Sequence, residues 1–258
     1  MTARGCAREA SEHPRYAQWM YLRHMGEGTP ALEAVYRPVQ RQTTLEETVK
    51  RLGTAIRLGV VAPGSQLPPE RDLADQLGIN RSTLRQALTT LVQSGHLVSL
   101  RGGGGGTFVA EAPPLSVGRR AKPSRDGTRA LLDQRVAIEI GATVLAAERA
   151  GPVDLDGLDE PVALMAAAQT FEDYRRADVR FHLGVAEATH SARLVTALTE
   201  VHGQLSDLIA PTPHFEERLT RSNGQHDRLV TLLRRGHSSP AVLLMREHIA
   251  QTEKVLAG

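Results

Sequence analysis

The first regular pattern of hydrophobic and polar positions begins at Thr44, in the segment LEETVKRLGTAIRLGVV. Its apolar residues recur at helical spacing, which predicts a helix with one apolar face. That face would hold Leu45, Val49, Leu52, Ile56 and Val60. Gly59 and the Pro63-Gly64 pair are predicted to end the helix, because glycine and proline commonly follow a helix C-terminus.

Two further helices are predicted with a tight turn between them. The second follows Pro68-Pro69 and runs to Gly78, since proline suits the first turn of a helix, where its missing N–H is not needed. The third occupies NRSTLRQALTTLVQSG, where Asn80 or Ser82 is able to cap the N-terminus. Its apolar positions share one face: Leu84, Ala87, Leu88, Leu91 and Val92. These two predicted helices and the turn between them give a helix-turn-helix.

A β-hairpin is predicted next, because HLVSL and TFVA are short β-rich runs on either side of RGGGGG. The five glycines could form a linker, a phosphate-binding loop or a turn. A phosphate-binding loop would need a following helix and a lysine, which this run lacks. A linker is also disfavoured, because the sequence composition typical of a linker lies further along the chain. We interpret the run as the turn of the hairpin, where glycine accepts positive φ.

The remainder of the chain follows a helical period with short breaks. Residues 127–258 are predicted to form an antiparallel bundle of about six helices. These are expected at roughly 127–150, 152–169, 171–189, 191–209, 215–235 and 239–256. The protein is therefore expected to be mainly α-helical, with a winged helix-turn-helix in front of an all-α bundle.

Breaks in composition divide the sequence into four parts. Residues 1–40 show no sustained period and are expected to be a poorly ordered extension, or to precede the true start at Met25. The helix-turn-helix and hairpin occupy 41–111. A proline-, arginine- and glycine-rich linker is placed at 112–126, and the bundle follows it at 127–258.

Composition narrows the classes of function. No run of roughly 18 apolar residues is present, the single cysteine excludes an internal disulfide, and the N-terminus lacks the apolar core of a signal peptide. We expect a soluble cytoplasmic protein. Aromatic residues make up only 3%, which argues against single-strand nucleic-acid binding by base stacking. A net charge of +2 neither requires nor excludes DNA binding. The positions of the arginines along the chain are therefore the informative feature.

Arginines are concentrated where a helix-turn-helix meets DNA. Arg81 and Arg85 are four residues apart at the start of the third helix, beside Ser82 and Thr83, and Arg71 begins the second helix. Arginine is the preferred bidentate partner of guanine, while hydroxyls and helix N-terminal amides suit phosphates. Arginines on an isolated helix would more often be merely solvated. The helix-turn-helix context favours DNA reading here.

The segment LPPERDLADQLGINRSTLRQALTTLVQSGHLVSLRGGGGGTFV resembles the winged helix-turn-helix of the GntR family of bacterial transcription regulators. Pro69 replaces a usual small residue, and the glycine run is longer than usual. The resemblance implies that Arg71, Arg81 and Arg85 contact operator DNA. It also implies that Asn80, Ser82 and Thr83 lie at that surface and that the wing tip, at Gly103 and Gly104, enters the neighbouring minor groove.

Candidate metal ligands lie in the second half of the chain. Asp178 and His182 are four residues apart on one predicted helix, and such a pair can bind one metal ion. His226 and His248 lie beside apolar positions of two later helices. Three histidines and one aspartate converging in a bundle would suit zinc, nickel or manganese. The alternative is that these side chains are packed or solvated without metal.

This second half resembles the FCD domain, the helical effector-binding module of the FadR branch of GntR regulators. The resemblance implies that Asp178, His182, His226 and His248 hold a divalent metal. It also implies that Arg135, with Glu139 one turn later, lies near a small carboxylate effector, although an ordinary i, i+4 pair is the simpler interpretation of those two. The other histidines are expected to be structural or solvent-exposed: His190, His202, His214 and His237.

These predictions define a DNA-binding transcriptional regulator and not an enzyme. Repression is favoured over activation. A homodimer is expected, because one helix-turn-helix covers only half of a palindromic site. Two alternatives stay open from the sequence. One is a metal-dependent enzyme with an appended DNA-binding domain, and the other is a DNA-binding protein with a metal-free dimerisation bundle.

Overall fold

A computed structural model describes residues 43–102, 105–114, 124–209 and 216–257. By its contacts, Thr43–Gly258 forms one compact unit. The N-terminal extension predicted at 1–40, the wing-tip residues Gly103 and Gly104, and His214 lie outside the described residues.

The described residues are mainly helical, and a single two-stranded sheet separates three helices from seven. The N-terminal part contains α1 (Thr44–Arg57), α2 (Glu70–Leu77), α3 (Arg81–Gln93), β1 (Leu97–Leu100) and β2 (Gly106–Val109). The C-terminal part contains α4 (Arg125–Arg149), α5 (Pro152–Asp156), α6 (Asp159–Ala167), α7 (Phe171–Glu187), α8 (Ala192–Ile209), α9 (Glu216–Arg234) and α10 (Ser238–Ala257). None of the described helices combines the length and apolar content needed to cross a membrane.

The first three helices form where the sequence predicts them. Thr43 and Glu46 make a capping box that starts α1, and the Asn80 side chain caps α3. Gly78 ends α2 in the left-handed conformation, with φ of 65°, which glycine adopts without strain. Helix α1 ends at Arg57, so Val60 lies beyond it and is exposed, whereas it was predicted on the buried face of the helix.

The apolar faces of α1, α2 and α3 meet the hairpin in one core. Its buried members are Leu52, Ile56, Leu67, Leu73, Ala74, Leu84, Leu88, Leu91, Leu97 and Val109. Strands β1 and β2 pair antiparallel with Leu97 opposite Val109 and Leu100 opposite Gly106. The hairpin therefore follows the helix-turn-helix as a wing, which confirms the predicted fold of this part.

The bundle confirms the predicted all-α architecture with one correction. The segment predicted as one helix at 152–169 is two short helices, α5 and α6, because the chain turns at Gly157 and Leu158. The side chain of Leu158 is buried at that turn, in the same hydrophobic core as Leu155, Phe181 and Met245. Burial of Leu158 in the core explains why the helical period continues through the break.

Helix α1 packs on α8 of the bundle, so the two parts are in direct contact. The Arg57 guanidinium is buried; its Nη1 pairs with Asp207 Oδ1 and its Nη2 donates to the Gly203 carbonyl over 3.0 Å. A Cβ at Gly203 would lie 2.7 Å from Thr54 Cγ2, so a larger residue would require Thr54 to shift, whereas glycine allows this close approach. Leu58 is buried among apolar side chains of α4, α7 and α8.

Candidate metal centre and nucleic-acid interface

The predicted DNA-reading residues lie at the N-terminal ends of α2 and α3. Arg71 is the second residue of α2, Arg81 is the first of α3, and Arg85 follows one turn later; all three are exposed. Helix α3 thus presents two arginines to solvent from its N-terminal end. This is the arrangement a recognition helix uses in the major groove.

The N-terminus of α3 is built by the polar residues that precede and begin it. The Asn80 side chain accepts the backbone N–H of Thr83 over 2.8 Å, and Ser82 Oγ donates to the same Asn80 oxygen, also over 2.8 Å. Sequence reasoning left the cap open between Asn80 and Ser82, and the structure assigns it to Asn80. Both side chains orient the helix end that carries Arg81.

Arg85 has an acidic partner on the preceding helix. Its Nε and Nη2 donate to Glu70 Oε2 over 3.2 and 2.8 Å, and this hydrogen bond raises the pKa of the Arg85 guanidinium. Arg71 lies 3.5 Å from Asp72, measured from Nε to Oδ1. Exposed ion pairs of this kind are weak enough to rearrange when DNA phosphates and base edges compete.

The four predicted metal ligands converge inside the bundle. Asp178 and His182 come from α7, His226 from α9 and His248 from α10, and all four are buried. His248 Nε2 lies 3.2 Å from both His182 Nε2 and His226 Nε2. Asp178 Oδ1 lies 3.8 Å from His182 Nε2 and 3.5 Å from His226 Nε2. One ligand atom from each residue lies within 4.8 Å of all the others.

The outer ring nitrogens of two of these histidines face hydrogen-bond acceptors. His182 Nδ1 is 2.6 Å from Glu139 Oε2, and His248 Nδ1 is 3.2 Å from Gln225 Oε1. Gln225 donates its Nε2 to Glu247 over 3.3 Å, which fixes the direction of its amide. The N–H of His182 is not aligned for a hydrogen bond, but a carboxylate oxygen 2.6 Å from Nδ1 favours a proton on that nitrogen, and His248 Nδ1 donates to Gln225; each Nε2 then carries a lone pair.

These lone pairs test whether the residues fit a metal. With both protons on Nδ1, the lone pairs of His182 Nε2 and His248 Nε2 face each other across 3.2 Å beside the Asp178 carboxylate. Such an arrangement is repulsive unless a cation lies between the nitrogens. Neutral imidazole nitrogens and one carboxylate are the donor set that divalent transition metals take in proteins. The residues therefore fit a divalent metal.

The environment keeps these groups in the protonation states that metal binding requires. Burial lowers the pKa of His226 to about 3 and that of His248 well below its ordinary value, so both rings are neutral near pH 7. Burial by itself would raise the pKa of Asp178, but the Arg175 guanidinium and His182 outweigh burial and lower it. Asp178 is therefore a carboxylate.

Arg135 and Glu139, the predicted effector-binding pair, lie directly behind the cluster. Arg135 Nε donates to Glu139 Oε1 over 2.6 Å, and both side chains are about 98% buried or more. Burial would raise the pKa of Glu139, but Arg135 and His182 outweigh burial and hold it well below its ordinary value. Within the part of the chain that is described, Arg135 Nη1 has no hydrogen-bond partner.

Two further residues of this site were missed from the sequence. His202 of α8, which was expected to be structural or solvent-exposed, is fully buried and belongs to the site, with Nε2 3.1 Å from Glu139 Oε1. Arg175 Nη1 pairs with Asp178 Oδ2, and its Nη2 lies 3.2 Å from His202 Nδ1. The available signal was spacing: His202 lies four residues after Leu198 and three before Leu205, both buried.

Glu139, His182 and His202 form a second group whose ligand atoms could hold a metal ion. Glu139 Oε1 already accepts from Arg135 Nε, and Glu139 Oε2 faces His182 Nδ1. We interpret Glu139 as the residue that orients His182 behind the first cluster, since a carboxylate commonly holds the outer nitrogen of a metal-bound histidine.

Comparison with known proteins agrees with both parts of the structure. Residues 44–109 match the family described as bacterial regulatory proteins, gntR family, and residues 130–251 match the FCD domain. The chain is 32% identical to the putative HTH-type transcriptional regulator RmpR of Mycobacterium gastri over 231 residues, which covers 87% of this chain and 84% of that protein.

Two other comparisons point the same way. The chain is 32% identical to the putative L-lactate dehydrogenase operon regulatory protein of Escherichia coli over 80% of this chain and 83% of that protein. The solved structure of E. coli McbR/YncC has a TM-score of 0.53 at 19% identity, covers 84% of this chain and 98% of its own, and supports the fold. The chain therefore belongs to the GntR family of bacterial transcriptional regulators, in the FadR-like branch that carries an FCD domain.

Proposed function

We propose that this regulator is a homodimeric cytoplasmic repressor, in which a divalent metal and a small carboxylate effector bind the helical bundle and modulate operator binding. The observation that carries the proposal is the convergence of three imidazole nitrogens and one buried carboxylate, whose ligand atoms lie within 4.8 Å of one another. A bundle built only for packing would gain nothing from this arrangement, because unpaired polar groups are costly in a core.

Asp178, His182, His226 and His248 would hold the metal. Zinc is the first candidate, and nickel or manganese would accept the same donors, because metal supply and geometry decide among them. The metal would supply a Lewis-acidic position for a ligand oxygen. The protein supplies the rest: Glu139 orients His182, and Gln225 orients His248.

Arg135 is the proposed anchor of the effector carboxylate. Its Nε is used by Glu139, while its Nη1 has no partner among the described residues and is available to an anion. A relative that is 32% identical is named for an L-lactate dehydrogenase operon, and lactate is a small carboxylate. Glu139, which the resemblance placed beside the effector, is proposed instead to act through Arg135 and His182.

Operator binding is assigned to the exposed end of α3 and the wing. Arg81 and Arg85 would contact base edges, with Arg71 at the backbone; Asn80, Ser82 and Thr83 would shape or contact the same surface, and Gly103 and Gly104 would enter the minor groove. A ligand that weakens DNA binding must itself bind more weakly to the DNA complex, because the coupling is reciprocal.

Metal analysis of the purified protein tests the central element. Wild-type protein is expected to contain stoichiometric divalent metal, and His226→Ala is expected to lose it, because one of four ligands is removed. His237→Ala is the matched control: this histidine is exposed at the start of α10 and should not affect metal content. Wild-type protein without metal, after purification in metal-supplemented buffer, would refute the site.

The regulatory part needs a DNA measurement. The metal-loaded protein should bind a duplex from upstream of its own gene, and small carboxylates should release it in a fluorescence anisotropy titration. Release by a carboxylate from wild type but not from His226→Ala would connect effector and metal. Carboxylates that leave DNA binding unchanged across the series would refute effector control.

A further inference from the structure

Helix α8 contacts both the helices that carry the metal cluster and the first helix of the DNA-binding part. On the side of the cluster, its contact is His202, whose side chain is completely buried. The ring places Nε2 3.1 Å from Glu139 Oε1 and Nδ1 3.2 Å from Arg175 Nη2. Because a guanidinium can only donate, Nδ1 is the acceptor, and the ring proton lies on Nε2, facing the carboxylate. Both ring nitrogens are therefore used in fixed contacts.

His202 is one contact away from each of the two metal ligands of α7. Arg175 pairs with Asp178, and Glu139 Oε2 lies 2.6 Å from His182 Nδ1. A metal ion bound by these two ligands would change the charge that Arg175 and Glu139 face, since a bound cation is often the largest charge in its surroundings. A change at either ligand thus reaches the same side chain of α8.

The residues that follow His202 on α8 hold the end of α1. The Gly203 carbonyl accepts from Arg57 Nη2 over 3.0 Å, and Asp207 Oδ1 pairs with Arg57 Nη1. We call Arg57, Gly203 and Asp207 the α1–α8 junction. A helix moves largely as one unit, because its backbone hydrogen bonds tie each residue to the one four positions away. A shift at His202 is therefore carried to the α1–α8 junction.

Helix α1 in turn shares a hydrophobic core with the recognition helix. Leu52 and Ile56 of α1 belong to the same buried cluster as Leu84, Leu88 and Leu91 of α3. Close-packed interiors have few voids that could absorb a displacement of one helix against another. A displacement of α1 is therefore expected to move α3, whose exposed N-terminal end carries the DNA-reading arginines.

We propose that α8 is the coupling helix of this regulator: His202 responds to the two metal ligands of α7, and the α1–α8 junction transmits the response to the recognition helix. This inference rests on the proposed metal site and goes further in assigning the route by which that site acts on DNA binding. His202 and Asp207 are positioning residues, because they belong neither to the four metal ligands nor to the DNA-reading surface. The coupling is reciprocal, so the same route would carry the effect of DNA on metal affinity.

The α1–α8 junction is tested by measuring how strongly zinc changes DNA affinity. Full-length protein is titrated onto a duplex from upstream of its own gene, with saturating zinc and after chelation, and anisotropy gives both dissociation constants. In wild type the two constants should differ by about fivefold or more, and in Asp207→Asn by less than about twofold. Asp207→Asn should still bind zinc stoichiometrically in calorimetry. Glu200→Gln, an exposed position of α8 that lies 3.9 Å from Lys50 of α1, should keep the wild-type difference.

Three outcomes would contradict the proposal. If Asp207→Asn keeps the wild-type difference, or Glu200→Gln loses it, the assignment to the α1–α8 junction is wrong. If zinc-loaded and chelated wild type bind the duplex equally well, no coupling exists, although the metal site itself stands. Failure of wild type to bind zinc or the duplex is a different result, because it would refute the proposed function.

Hydrogen exchange provides a measurement that needs neither a variant nor DNA. The backbone N–H groups of Leu58, Gly59 and Val60 close the end of α1 by donating to carbonyls of residues 54–56. Zinc should change their exchange rates in wild-type protein by about fivefold or more, because the end of α1 lies on the proposed route. The N–H groups of Gly78 and Ile79, which close the end of α2, are the internal reference. Unchanged rates at the end of α1, or equal changes at both helix ends, would overturn the route.

Two variants of His202 test the other end of the route. His202→Gln keeps a donor for Glu139 and an acceptor for Arg175, so it should retain most of the zinc-dependent difference in DNA affinity. His202→Leu removes both contacts, and the difference should fall below about twofold. A wild-type difference in His202→Leu, or loss of zinc binding from both variants, would overturn the assignment of His202. Hydrogen exchange of wild-type protein decides the proposal if the variants fail to fold.

Discussion

Two groups of arginines in this protein have the same chemistry and opposite surroundings. Arg71, Arg81 and Arg85 of the helix-turn-helix are exposed, and the ion pairs of Arg71 and Arg85 lie at the surface. Arg135 and Arg175 of the bundle are buried or nearly so, and each holds a carboxylate. Exposed guanidiniums stay hydrated until DNA arrives, whereas buried ones need fixed partners at all times.

The difference teaches how each region could select its ligand. Exposed arginines on a helix end can reach a large, charged duplex and lose little when they exchange partners. Buried arginines are already held by carboxylates of this chain, so they would recognise only an anion small enough to enter the bundle. The first arrangement selects by reach and base geometry, and the second would select by charge and size.

Removal of the Glu139 carboxylate is expected to have the largest effect. Glu139→Gln leaves the buried Arg135 guanidinium without its counter-charge, and breaking a buried ion pair costs about 3–5 kcal/mol. The free energy of unfolding of chelator-treated protein, measured in urea, should fall by that amount. Glu187→Gln removes the exposed partner of Arg180 and should change it by less than about 1 kcal/mol. Equal effects of the two variants would remove the contrast between buried and surface pairs.

A substitution at the junction between the two regions should have an intermediate effect on the free energy of unfolding. Asp207→Asn weakens the hydrogen-bonded ion pair with Arg57, whose guanidinium is buried between α1 and α8. A hydrogen bond to a charged group contributes about 1.5–3 kcal/mol, so the free energy of unfolding should fall by that order. Glu200→Gln is the control, because Glu200 is exposed and lies 3.9 Å from Lys50. An Asp207→Asn protein as stable as this control would show that the pair contributes nothing to the junction.

Loss of a DNA-reading arginine should affect recognition and leave stability unchanged. Arg81→Ala should reduce discrimination between the operator and a duplex with one altered base pair by about 1–3 kcal/mol for each lost base contact. The dissociation constants are measured by anisotropy at fixed salt concentration. Arg228→Ala, an exposed position of α9, should bind both duplexes as wild type does. Unchanged discrimination in Arg81→Ala would refute the placement of the recognition helix.

The smallest effect is expected at Glu70, the half-buried partner of Arg85. Glu70→Gln removes a negative charge beside the DNA-reading face, so binding to nonspecific duplex should become slightly tighter and the midpoint of thermal unfolding should not move measurably. Titration at several salt concentrations measures the change. Glu217→Gln alters a comparable exposed pair in α9 and should leave DNA binding unchanged. Weaker DNA binding in Glu70→Gln would mean that Glu70 positions Arg85 for contact.

Local patterns explain why much of this protein could be predicted. The 3.6-residue period placed the apolar faces of α1 and α3, and the polar residues around position 80 marked the start of α3. The i, i+4 spacing of Asp178 and His182 brought two metal-binding groups to one face without any knowledge of tertiary contacts. The apolar neighbours of His226 and His248 indicated that both face the core, and the family resemblance then assigned all four residues to one metal.

The sequence by itself determined what depends on neighbours within a few residues: helix period, capping at Asn80, the glycine turn and the exposed arginines. Tertiary structure decided what depends on distant partners. His202 meets Glu139 across 63 positions of the chain, Arg175 meets His202 across 27, and Arg57 meets Asp207 across 150. Burial explains why these contacts matter. A charged group has little free-energy cost in water, but in a core it needs a specific partner, and only the packing of the helices brings that partner near.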